Sequence, residues 1–150
     1  MPDLTPLDLA DEIELVSTRL DALRRSAAVF WIDLHGPVPA VAHPVRAAKT
    51  IYGDQTRVVS AEPLARPWSR TFTARARSMG HFDGLFPGTL RAEPEFLLDW
   101  TVLLVEEALG PVRAAWRVEH EPVSWYAAIW ADVLLLTDEW SAVVSLTNDS

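Results

Sequence analysis

Two of the histidines that stand beside carboxylates are candidates for chemistry: His120 in Glu119-His120-Glu121, within EHEPVSWYAAIW, and His81 with Asp83, within GHFDGLFPG. An imidazole flanked by acids can move a proton or hold a metal. The first triplet follows an alternating run, PVRAAWRVEHE, that reads as a strand. Strand geometry turns His120 to the face of Trp116 and Val118 and both glutamates to the other, so the three side chains cannot converge on one atom. His120 is therefore expected to be structural. His81 and Asp83 lie on a glycine-punctuated loop, and an i, i+2 pair in extended chain can face one way, the acid orienting the ring as a general base. They are the candidate catalytic pair.

A second constellation is cationic. Residues 57–91 hold six arginines against two acids, and within RTFTARARS strict alternation places Arg75 and Arg77 on one face of an expected strand. Two guanidiniums side by side can grip a carboxylate or phosphate, which makes Arg75 and Arg77 the candidate anion site. Glu119 and Glu121 are the internal alternative, acids that could pair with those arginines across a sheet.

The chain has seven tryptophans. Trp100 and Trp116 fall on apolar faces and are expected in the core. Trp125 and Trp130 face opposite ways if 123–136 is one strand, and Trp140 closes a turn beside Asp138 and Glu139. Aromatic side chains ringed by acid suit a protein interface, so Trp130, Asp132, Asp138, Glu139 and Trp140 are the candidate partner-binding residues. No glycine-rich phosphate loop, nucleophile elbow, zinc-helix or calcium-loop pattern occurs. No metal site or cofactor is expected.

The elements that position these residues start with a helix opened by Thr5, Pro6 and Asp8, with one apolar stripe of Leu9, Ile13, Val16, Leu20 and Leu23. Short strands are expected at 27–34 and around 56–60, a short helix at 44–52 and a strand at 70–78. A second strong helix runs from Pro94 to Gly110, its apolar face made of Phe96, Leu97, Trp100, Leu103, Leu104 and Ala108. Three strands follow, the last two joined by the turn TDEW. The order predicts a single α+β domain over 1–150, a mostly antiparallel sheet with its two main helices on one face.

With 150 residues, 49% of them hydrophobic, the chain can bury a core without staples, and it has no cysteine to form any. Net charge is −8, and residues 93–150 carry eleven acids against two bases. That sign disfavours a nucleic-acid backbone and favours a basic protein partner. An acidic N-terminus and the lack of a long apolar run predict a cytoplasmic chain with no membrane contact. One lysine against twelve arginines suggests GC-rich bacterial coding. Self-association is left open. Two functions fit. The first is a non-catalytic interaction domain of inhibitor, immunity or accessory type, docking a basic partner on the C-terminal sheet. The second is a small enzyme or ligand-binding protein whose Arg75 and Arg77 hold an anionic small molecule while His81, with Asp83, transfers a proton.

Overall fold

The structure, a computed structural model, describes residues 4–25, 29–80, 82–124 and 126–149. His81 and Trp125 lie outside the described residues. The expected α+β architecture is present: four α-helices and one antiparallel five-stranded sheet among the described residues. In chain order these are α1 (Pro6–Ala22), β1 (Phe30–Pro39), α2 (Pro44–Tyr52), β2 (Thr56–Pro63), α3 (Trp68–Ser78), α4 (Ala92–Leu109), β3 (Ala114–Pro122), β4 (Ile129–Leu136) and β5 (Trp140–Asn148). The strands lie in the order β1-β5-β4-β3-β2. No helix is long and apolar enough to cross a membrane among the described residues.

Local chemistry sets the helix ends. The Asp8 carboxylate reaches back to accept from the Thr5 hydroxyl at 2.6 Å and from its peptide N–H at 3.4 Å, with Pro6 at the first helical position. The His43 ring opens α2, its Nδ1 accepting from the Arg46 N–H at 3.3 Å. α4 stops at Gly110, whose φ of 90° is a conformation that L side chains rarely adopt.

The sheet is covered on both sides. Ile32, Val133, Leu135, Ala142, Val144 and Leu146 meet α1, α3 and α4 in the larger core, so the two longest helices do share one face. Val58, Val118, Leu134 and Val143 point the other way and meet α2, through Ala47, Ala48 and Tyr52.

Three expectations are corrected. Residues 70–78 are helical, part of α3. Trp68, Phe72 and Ala76, the buried residues, recur every four positions, so the stretch satisfies a helical period as well as an alternating one. Its alanine and arginine content then favours the helix. Second, 123, 124 and 126–128 are outside any strand, and β4 begins only at Ile129. Third, α4 is rotated from its expected face. Leu97, Leu98, Thr101, Leu104, Val105 and Leu109 are buried, whereas Phe96, Trp100 and Leu103 are exposed. Apolar residues surround this helix almost completely, so periodicity alone does not choose the buried side. Thr101 enters the core because its hydroxyl donates to the Leu97 carbonyl at 2.9 Å.

Candidate functional site

Asp132 belongs to β4, opposite Val118 of β3 and Ser145 of β5, and its side chain is wholly inaccessible. An isolated carboxylate there would cost several kcal/mol of lost hydration. Four donors meet it instead: the Tyr52 hydroxyl, Ser145 Oγ at 2.5 Å, His120 Nε2 at 2.9 Å and the Tyr126 hydroxyl at 3.0 Å. A carboxylate has lone pairs for about four such bonds. Because it accepts only, His120 must carry its proton on Nε2. A neutral ring then leaves Nδ1 free to accept from the Thr56 hydroxyl, 2.8 Å away. His35 extends the chain of contacts, its Nε2 lying 3.2 Å from the Tyr126 hydroxyl.

These groups come from separate elements. Tyr52 is the last residue of α2, brought close because Ala47 and Ala48 lie flat against the sheet. Tyr126 comes from the loop between β3 and β4. The Tyr52 ring stacks on His120 at 4.7 Å between centroids, and Tyr126 meets His120 edge-on at 5.1 Å and Trp130 edge-on at 5.4 Å.

Burial pushes the Asp132 carboxyl up, but the hydrogen bonds from His120, Ser145 and Tyr52 outweigh it and hold the group below its ordinary value. Burial, with the Asp132 charge beside them, pushes both tyrosine hydroxyls far up, so both remain protonated donors.

The same residues mark a split in the sheet. The β3–β4 ladder runs from Ala114–Leu136 to Val118–Asp132 and stops there, although β3 continues along β2 and β4 along β5. The rings of His120, Trp130 and Tyr126 pack against one another where the ladder ends. On the α2 side the His120–Asp132 pair bridges the split. On the other side a groove of about 600 Å³ opens between α3 and the β2–β3 surface. Thr71 and Arg75, one helical turn apart, line its α3 wall, and Glu62, Arg117 and Glu119 line the strand side. Arg117 is held by Glu62 at 3.0 Å and Glu119 at 3.3 Å. Arg75 is exposed and has no carboxylate at ion-pair distance among the described residues.

The expected sites fare unequally. Arg75 and Arg77 diverge, because two residues on a helix are about 200° apart. Arg77 instead pairs with Glu95 at 3.0 Å on the far side of α3. Glu119 and Glu121 find Arg117 and Arg57 as partners, in place of the arginines of α3. Asp83 is exposed on the loop after α3, where its carbonyl accepts from Arg24 Nε at 2.9 Å, away from the groove lining. His81, the other half of the catalytic pair, is outside the described residues.

The partner-binding set does not form one surface. Asp132 is in the core. Trp130 packs on His120 and Tyr126 toward α2, whereas Trp140 packs against the larger core on the opposite face. The length of β4 separates them, roughly 20 Å at strand rise. Asp138 and Glu139 are exposed at the β4–β5 turn, Asp138 paired with Arg113 at 2.9 Å.

Sequence reasoning missed Tyr52, Tyr126 and Ser145 as partners of Asp132, and Thr56 as the partner of His120. One signal was present: a single acid inside the apolar run AIWADVLLL is rarely buried unless paired. No family model matches the chain, and no curated protein or solved structure shows significant similarity to it.

Proposed function

We propose that this chain binds a small molecule bearing a carboxylate or phosphate in the groove between α3 and the β2–β3 surface. The observation that carries this reading is the Arg75 guanidinium, without an acidic partner among the described residues, standing over a sheet that has split. Arg75 supplies a planar fork for an anionic group, and the Thr71 hydroxyl one turn away supplies a further donor. Past the end of the ladder, peptide groups of β3 and β4 no longer pair with each other and are available to a ligand's polar atoms. Glu62 and Glu119, neutralised in part by Arg117, disfavour a second anionic group at the far end, so the ligand carries one anionic group or is zwitterionic.

His120 and Asp132 are among the residues that line the groove, but both of their side chains are inaccessible, which supports binding over proton transfer there. Thermal denaturation with orthophosphate, acetate, glycine and a nucleoside monophosphate tests the proposal. At least one should raise the melting temperature of the wild type and of Arg77→Ala but not of Arg75→Ala. Stabilisation by none, or equal stabilisation of Arg75→Ala, would overturn it.

A further inference from the structure

The outer surface of the helical layer has a feature that neither the groove nor the sheet core uses. Phe96, Trp100 and Leu103 follow steps of four and three along α4, the spacing of a helix-packing seam. They are 60%, 37% and 58% exposed, and the Phe96 and Trp100 rings stack nearly parallel at 6.1 Å between centroids. The opposite side of α4 is already occupied by the core, so this seam is a second apolar face. Arg19 joins the last turn of α1 to Glu93 in the first turn of α4 at 2.5 Å, so the two helices run antiparallel. Leu15, one turn before Arg19 on the same side of α1, is 63% exposed. Large apolar side chains gathered in this way, rather than scattered singly, mark an interaction surface.

Charge identifies the occupant. α1 and α4 together carry ten acids and one base, Arg19, which is tied to Glu93. The whole chain has 21 acids and 13 bases, so the remainder holds eleven acids against twelve bases. All of the net negative charge is therefore on these two helices. Along the seam, Glu107 continues the line of Trp100 and Leu103, and Asp8 and Glu12 stand on the side of α1 that carries Arg19. A second copy presenting this face would set like charge against like charge across it. A helix with an apolar stripe flanked by Lys and Arg satisfies both the seam and its rim.

We propose that the α1–α4 face docks a basic amphipathic helix of another protein, with that helix's apolar side chains on the Phe96–Trp100–Leu103 seam. The probe is a synthetic helical peptide of roughly three heptads, with Leu at the seam positions and Lys elsewhere, beside a counterpart with Glu in place of Lys. Fluorescence anisotropy of the labelled Lys peptide should show saturable binding to the full chain that weakens as salt rises. Phe96→Ser/Leu103→Ser and Glu12→Lys/Glu107→Lys should each weaken it by at least about tenfold. All four positions face solvent wholly or in part, and circular dichroism confirms that each variant is folded. Arg75→Ala should leave the affinity unchanged, which separates this face from the ligand groove. No binding by the wild type, equal binding of the Glu peptide, or wild-type affinity in either double variant would overturn the proposal. So would a dimer in sedimentation that Phe96→Ser/Leu103→Ser dissolves, since the seam would then belong to a second copy.

Discussion

Asp132 is tolerated inside AIWADVLLL because Tyr52, His120, Tyr126 and Ser145 all donate to it. Removing the acceptor leaves the Tyr52 hydroxyl and the His120 Nε2–H buried without it, while Tyr126 and Ser145 keep each other at 2.8 Å, and removing one donor leaves the carboxylate with three. Asp132→Ala should therefore cost about 3–5 kcal/mol in urea unfolding, and Tyr52→Phe about 1–3 kcal/mol. The acid also sets a pH dependence. Its folded value lies below the ordinary 3.8 because its hydrogen bonds outweigh its burial, so its contribution is present above that value. As pH falls through the depressed folded value, the folded state must protonate the carboxyl and the contribution is lost. The stability gap between wild type and Asp132→Asn should narrow only in that acidic range. A gap independent of pH, or none at neutral pH, would contradict the assigned role.

At the scale of elements, α3 decides what Arg75 can do. Phe72 is 1% exposed and anchors the helix to the core, whereas Arg75 faces outward from it. Phe72→Ala should cost about 3–5 kcal/mol, and Arg75→Ala should stay within about 0.5 kcal/mol of wild type. Chemical denaturation of the two variants separates anchoring from binding, and a large loss in Arg75→Ala would show an unrecognised structural contact. α3 also marks a limit of what the sequence makes legible. RTFTARARS fits both periods, and its context, a core that needs Phe72 and Ala76 on one side, is tertiary. α1 was legible because its cap, charge gradient and single stripe agree. β3 was legible from strict alternation, which placed His120 inward and both glutamates outward before any contact was known. The gathering of Tyr52, Thr56, Tyr126 and Ser145 was not legible, because no spacing along the chain links residues that meet only after α2 docks and Tyr126 reaches Asp132.

Across the whole molecule, charge and shape divide the surface. The net charge of −8, which the sequence shows concentrated after residue 92, is carried in sum by α1 and α4, where Asp8, Glu12 and Glu107 flank the Phe96–Trp100–Leu103 seam. The acids of β2 and β3 are instead paired with Arg57 and Arg117. Such exposed pairs contribute at most about 1 kcal/mol each. Arg57 and Arg117 offset two of the three acids there, and Arg75 is the cation at the groove without an acidic partner among the described residues. The ladder between β3 and β4 ends beside residues brought from α2, β2, β5 and Tyr126, so the groove is a property of the assembled fold. The most direct measurement is nuclear magnetic resonance of labelled chain titrated with orthophosphate, acetate, glycine and a nucleoside monophosphate. Binding in the groove predicts that the Arg75 side-chain Nε–H and the amides of Thr71 and Glu119 shift together and saturate. Shifts confined to Arg77 and its surroundings, or none with any of the four ligands, would contradict the account.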